Sequence, residues 1–453
     1  MINPTPTPIF SGQSPQQVSD DISHLVDFQP EGMPLDELDS LISKYLKPHL
    51  LRYDLPQFQS MFNAFPPPEA KLGGHIGLAY NQGVTNWQVS PGGAVLEELC
   101  CEALCKLFGL SPNAEATFMY SGTYGNLQGL YMALHRHAER QGFNLATKGL
   151  SGFKDLSRLA ILVSKEAHFS LKHAVRTLGL GEDSLVTLPI DEKRRIKTTQ
   201  LKKYISELQK THDIFCVVAT AGTTNVGAID PIAALAEICT EIGAWLHVDG
   251  AYGYAYKLVP EWKHRFEGDE RADSIVWDPH KQLGAPIPNS ILFTNNKNEF
   301  SRMALHSVYF NRVTDIEPNP GIKSPPSTRP LSALPLMAIL RGQGIQTVID
   351  NLRTPLIAIQ KLADKLNAAA DIEVMVQPET GIICFRMSPP GIQPDQINLL
   401  QQELYDQIML TGRRTISTTK LDGNTVLRLV TVSSDIRFED LYATIEDLRT
   451  LIR

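Results

Sequence analysis

From about Val95 to Thr294 the chain repeats one pattern: a short apolar run, a stretch with helical periodicity, then another apolar run. The runs are EATFMYS, RLAILVS, IFCVVAT, AWLHVDG, DSIVWD and NSILFT, with helical patterns such as Asn126 to Arg140, His168 to Leu178 and Pro231 to Ile242 between them. These runs lack the alternation of a half-exposed strand, so both of their faces are expected to be buried. Strands alternating with helices in this way predict an α/β domain, a large and mostly parallel sheet with helices on both faces.

The flanks have a different texture. Residues 1–90 begin Pro-rich, predict a helix around Pro34 to Leu46 and continue through a loop-rich stretch, FNAFPPPEAKLGGH. No self-contained core is evident, so this N-terminal segment is expected to pack on the rest of the chain or on a second subunit. Beyond the proline-dense EPNPGIKSPPSTRPLSALP, a long helical segment runs to about Ala370. The strand GIICFRM, a helix from Asp395 to Leu410, the strand TISTT, a turn at Asp422-Gly423, the strand VLRLVTV and a helix from Phe438 to Ile452 follow. That order predicts a small α+β C-terminal domain. The expected division is 1–90, 91–340 and 341–453.

Composition narrows the partners. With 42 basic and 49 acidic residues the net charge is −7 and is not gathered into runs, so no basic stripe suggests nucleic acid or an anionic membrane. No apolar run approaches the roughly 18 residues of a membrane span, and the N-terminus lacks the charged and apolar regions of a secretory signal. The expected location is therefore the cytoplasm. The six cysteines show no CxxC spacing and sit in apolar stretches, which reads as small buried hydrophobes rather than disulfides or a metal site.

Polar residues at the predicted strand ends carry the chemistry. Ligands of open α/β sheets bind beyond the carboxyl ends of the strands. There the chain places SGTYGN (Ser121 to Asn126), His168, Thr220 to Thr224, Asp249, and His280 with Lys281. A Ser/Gly/Thr turn before a helix suits an anion, and taken alone more often serves as a plain helix cap that binds nothing. Asp249 ends an apolar strand and needs a partner there, whether a cation or its own loop. A lone His168 is by itself an ordinary helix-start residue. Lys281 follows a buried strand, where a lysine has reached water or found chemistry that uses its neutral amine. Together an anion cradle, an imidazole, a carboxylate and a lysine fit pyridoxal 5'-phosphate. That cofactor needs a phosphate cup, a Schiff-base lysine and a carboxylate on its ring nitrogen.

At these residues the sequence resembles the group II pyridoxal-phosphate-dependent amino-acid decarboxylases, which include aromatic amino acid, glutamate and cysteine sulfinate decarboxylases. From about Ser90 onward five blocks occur in the family's order: SPGGAVLEELCCEALCKLFGL, SGTYGNLQG, ATAGTTNVGAIDPI, WLHVDGAYG and ADSIVWDPHK. The resemblance implies the type I fold of such enzymes, release of CO2 from an L-amino acid to leave the amine, and a homodimer wrapped by the N-terminal segment. By position it implies that Lys281 carries the cofactor, Asp249 pairs with the pyridine nitrogen and His168 stacks on the ring. It places Gly122, Thr123 and Asn126 at the phosphate turn, with His280, Ala251 and Thr220 around the cofactor. Tyr309 in SVYF resembles the residue that returns a proton, and Arg428 in VLRLV one near the substrate carboxylate.

Three features depart from the family pattern. Asp278 stands where many members have Asn and has no evident partner. Tyr120 and Tyr124 are bulky residues in the turn, expected to reshape the cup or the substrate pocket. The stretch after Tyr309 is longer and richer in proline. Other readings are a carbon–carbon lyase or an aldehyde synthase on the same scaffold, or a binding protein that keeps the fold without chemistry.

Overall fold

The computed structural model describes residues 8–308 and 311–452. Two compact units are present: Pro66–Arg353 with Pro378–Thr380, and the segment up to Phe65 with Thr354–Gln377 and Gly381–Arg453.

The larger unit is built on a seven-stranded sheet. Its strands are β1 (Glu115–Met119), β2 (Leu159–Ser164), β3 (Leu185–Leu188), β4 (Asp213–Thr220), β5 (Trp245–Asp249), β6 (Ser274–Trp277) and β7 (Ser290–Thr294). Their order is β1-β7-β6-β5-β4-β2-β3, parallel throughout except for β7, which runs antiparallel to both β1 and β6. The expected apolar runs form these strands, and β3 is an addition at the edge. On one face Ile161, Val163, Phe215, Val218, Trp245, Val276 and Leu292 form a core with Leu130, Met132 and Leu134 of the helix Gly122–Arg140. The alternate residues Val217, Leu246 and Ile275 are buried too, and the helix Ile232–Ile242 packs against β4 and β5. Each such buried side chain contributes about 1.5–3 kcal/mol of apolar burial.

The stretch expected to be loop-rich is instead largely the helix Pro68–Tyr80. Pro68 at its start lacks only an N–H that would have no intrahelical acceptor, so the prolines read as breakers initiate the helix. One of its glycines also has a packing reason: a Cβ on Gly73 would lie 2.7 Å from the Cα of Pro335 in the helix Ala333–Gln343. This helix therefore belongs to the larger unit, whose limits at Pro66 and Arg353 differ from the expected 91 and 340. The Pro-rich stretch lies inside that unit, held by ion pairs. The guanidinium of Arg329 donates to Thr117 Oγ1 and Phe118 O and lies 2.9 Å from Glu97 Oε1, an ion pair rather than a directed hydrogen bond. Lys323 Nζ sits 2.5 Å from Glu98 Oε2 and 2.8 Å from Glu115 Oε1.

The smaller unit holds a four-stranded antiparallel sheet, ordered β10-β11-β9-β8, of β8 (Ile372–Val376), β9 (Ile382–Met387), β10 (Ser417–Leu421) and β11 (Asn424–Val430). The helices Ile397–Leu410 and Phe438–Leu451 bury Leu404, Ile408, Leu441, Ile445 and Leu448 with Ile383, Phe385, Leu427 and Leu429. Asp422 and Gly423, at φ of 49° and 86°, make the expected turn between β10 and β11. All six cysteines are buried as free thiols, and burial pushes those of Cys100 and Cys105 up to about 12. Among the described residues no helix is long and apolar enough to cross a membrane.

Candidate active site

Strand register brings the unusual polar residues together. Thr220, the last residue of β4, pairs with Asp249, the last of β5, and Asp249 pairs with Val276 near the end of β6. Because β7 is antiparallel to its neighbours, its first residue, Ser290, lies at this same edge opposite Met119, the end of β1. The turn after β1, the loops after β2 and β4, and the residues after β5 and β6 therefore converge. They enclose a cavity of about 210 Å³ lined by Gly122, Thr123, Asn126, His168, Thr220, Asp249, Ala251, His280 and Lys281, with Ser121, Ser170, Gly222, Thr224, Tyr252 and Asp278.

At the turn, Ser121 caps the helix Gly122–Arg140 through its Oγ, which accepts from the N–H of Tyr124 at 3.3 Å. The first-turn N–H groups of this helix have no intrahelical acceptor, which makes the turn a cradle for an anion. Tyr120 does not line the cavity; its hydroxyl donates to the carbonyl of Thr328 in the Pro-rich stretch, and its side chain borders a separate groove. The ring of Tyr124 is about half exposed and also lies outside the cavity lining. Both tyrosines, expected to reshape the cup or the substrate pocket, thus lie outside the lining of this cavity.

Asp249 is buried and held on both oxygens. Asn126 Nδ2 donates to Oδ2 at 2.9 Å, and the N–H of Ala251 donates to Oδ1 at 3.2 Å. Asn126 is fixed in turn: the same Nδ2 also donates to Ser170 Oγ at 2.8 Å, and its Oδ1 faces His247 Nε2 at 2.9 Å. An amide oxygen only accepts, so His247 carries its proton on Nε2. Its Nδ1, 2.7 Å from Ser274 Oγ, accepts from that hydroxyl, which in turn accepts from the indole N–H of Trp245 at 2.8 Å. One chain of hydrogen bonds thus runs from Trp245 through Ser274, His247 and Asn126 to Asp249. Burial pulls His247 down to about 4, against a smaller opposing pull from Asp249, so its neutral form is the folded one.

The lysine and histidines complete the cavity. Lys281 Nζ lies 3.2 Å from Asp278 Oδ2, and Ser290 Oγ donates to Asp278 Oδ1 at 2.6 Å, so the aspartate that lacked an evident partner has two. His280 Nδ1 faces the carbonyl of Asn289 at 2.6 Å and therefore carries a proton, while Nε2 is 3.8 Å from Asp278 Oδ2. Burial lowers His280, and the Asp278 carboxylate opposes that shift. His168 Nδ1 accepts from the N–H of Ser170 at 3.2 Å, and burial lowers its pKa against the pull of Asp249. Tyr309 lies outside the described residues. Arg428 lies on β11 in the smaller unit, where it is buried, donates from Nε to Ser417 Oγ at 2.9 Å and covers the ring of Phe62. Residues that sequence reasoning did not single out are Ser170, Gly222, Tyr252 and the His247–Ser274 pair, although all of them except Ser170 sat inside a noted block.

The His247 chain yields a pH prediction. The unfolded state takes up a proton near the ordinary 6.5, whereas the folded state resists until about 4. Stability from this group is fully present above pH 6.5 and is lost as pH falls from 6.5 toward 4. Urea unfolding of wild type and His247→Asn over that window should show a steeper loss in wild type; parallel curves would contradict the assignment.

Comparisons with known proteins give the family. The profile described as the pyridoxal-dependent decarboxylase conserved domain matches residues 17–388. The chain is 28% identical over 373 residues to L-2,4-diaminobutyrate decarboxylase of Acinetobacter baumannii, covering 80% of this chain and 73% of that protein. It is 27% identical over 357 residues to human cysteine sulfinic acid decarboxylase, covering 77% and 71%. In fold it is similar to the glutamate decarboxylase domain of diaminobutyrate-pyruvate transaminase and L-2,4-diaminobutyrate decarboxylase from Vibrio parahaemolyticus. That likeness has a TM-score of 0.88 at 24% identity, covering 98% of this chain and 91% of the other. A family profile spanning most of the chain, on a sheet whose strand ends gather a lysine, a carboxylate and an anion cradle, places the chain in the pyridoxal-dependent decarboxylase family, as a pyridoxal-phosphate-dependent carboxy-lyase acting on an amino acid.

Proposed function

We propose that the cavity at the strand ends is the decarboxylation site and that its residues divide the work as follows. The observation that carries this reading is the convergence of Lys281, Asp249 and the N-terminus of the helix Gly122–Arg140 on one cavity. The residues present fit the cofactor. Thr220 Oγ1 is buried with no partner among the described residues, a hydroxyl left for a ligand. A Cβ on Gly122 would meet Asp278 and Ala251 at 2.8–3.0 Å, so the cradle is open only because that residue is glycine.

Bound there, pyridoxal phosphate supplies a carbonyl that captures amines and a ring that accepts the electron pair left by departing CO2. The protein's own groups do the rest. Lys281 Nζ would hold the cofactor and supply the amine that frees the product. Asp249, fixed by Asn126 and Ala251, holds a proton on the ring nitrogen. His168 covers the ring face and keeps water from it. Gly122, Thr123 and His280 hold the phosphate, and Ala251 and Thr220 border the ring. The Tyr309 hydroxyl would deliver a proton to the former α-carbon.

The active species in this reading is a cytoplasmic homodimer. Supporting it, the helix Pro68–Tyr80 exposes Leu72, Leu78 and Tyr80, and the N-terminal segment exposes Phe28 and Leu35, apolar surface of a kind that marks interaction sites. The N-terminal segment wraps the partner. The relatives' names span diaminobutyrate and cysteine sulfinate, so the side-chain class is decided by a screen. The twenty common amino acids with cysteine sulfinate, ornithine and 2,4-diaminobutyrate are incubated with the loaded enzyme, and CO2 and amine are measured together. One substrate should give both in equal amounts, with Tyr309→Phe slowed by up to about 10²–10⁴-fold. Peroxide, ammonia and aldehyde in place of amine would overturn the reading.

A further inference from the structure

Asp278 is the one charged side chain of the cavity that the division of labour leaves unused. It follows β6 and is 2% exposed. Its carboxylate abuts the anion cradle: a Cβ on Gly122 would lie 2.8 Å from Oδ2 and 3.0 Å from Oδ1. It is fixed there by three contacts. Ser290 Oγ donates to Oδ1 at 2.6 Å, Lys281 Nζ lies 3.2 Å from Oδ2, and the backbone N–H of Asp278 donates to the carbonyl of Ala251 at 3.2 Å. A carboxylate beside the first turn of a nineteen-residue helix occupies the place where the helix dipole favours an anion. The incoming cofactor brings a phosphate of charge about −1.5 to −2 at neutral pH to that place. His280 is the nearby group to offset this repulsion, yet its Nδ1 proton is committed to Asn289, so Nε2 can donate to a phosphate only when the ring is charged.

We propose that Asp278 is the built-in competitor of the cofactor's phosphate: its carboxylate, set against the cradle, weakens cofactor retention. The carboxylate makes this a cofactor site tuned toward exchange of pyridoxal phosphate rather than toward permanent hold. The inference rests on the assignment of the cofactor to this cavity.

The test is a titration of the cofactor-free chain with pyridoxal phosphate and, separately, with pyridoxal, which lacks the phosphate, following the visible absorbance band of the lysine adduct. Asp278→Asn is close in shape and removes the charge. It should bind pyridoxal phosphate at least about tenfold more tightly than wild type, with a distinctly smaller gain for pyridoxal. Should that variant not fold, Asp278→Ser carries the same expectation. Unchanged or weaker binding of pyridoxal phosphate, or an equal gain for both compounds, overturns the proposal. Absence of the band in wild type with either compound instead overturns the assignment of the cavity, a result distinct from the other two.

Discussion

Everything at the site depends on the register between β4, β5 and β6. Pairing Thr220 with Asp249, and Asp249 with Val276, brings three strands to an end at one level of the sheet, so the residues that follow them face a common space. A shift of one residue would turn Asp249 to the opposite face of the sheet. The register is secured by the side chains behind it: Val218, Trp245 and Val276 pack in one core with the helix that begins at the anion cradle. The same helix therefore both supports the sheet and presents its N-terminus to the cavity. Packing and chemistry share one element.

Burial sets the character of the polar groups. Asp249 is buried, and an unpaired carboxylate there would be costly, so the chain surrounds it with Asn126 and the backbone N–H of Ala251. That support continues outward through His247, Ser274 and Trp245, each of which has a defined donor or acceptor role once the amide of Asn126 is oriented. A chain of this kind fixes the carboxylate more tightly than a single hydrogen bond does. In the same cavity the carboxylate of Asp278 is paired with Lys281 and Ser290. Two aspartates on one cavity thus have distinct surroundings, one held by an amide and a backbone N–H and one paired with a lysine and a serine hydroxyl.

Much of this was legible in the sequence because it is a matter of strand ends. Lys281, Asp249 and His168 stood out as polar residues after apolar runs, and the structure gathers them. Strands β3 and β8 were not legible: Leu185–Leu188 and Ile372–Val376 are short and mostly half-exposed, without a continuous apolar run. The helix Pro68–Tyr80 is hidden in the sequence because prolines and paired glycines look like loop, whereas here they start a helix and let it approach Pro335. The partners of Asp278 and the His247 chain depend on contacts across the sheet, Ser290 from an antiparallel strand and Asn126 from a helix, which no local pattern encodes.

The central claim is that Lys281 is the residue that holds the cofactor in this cavity. Borohydride reduction of the pyridoxal-phosphate-loaded protein, followed by proteolysis and mass spectrometry, tests it directly. The account predicts a stable pyridoxyl modification on the peptide containing Lys281, absent from Lys281→Ala. Modification mainly at another lysine, or an equal yield in the variant, would contradict it.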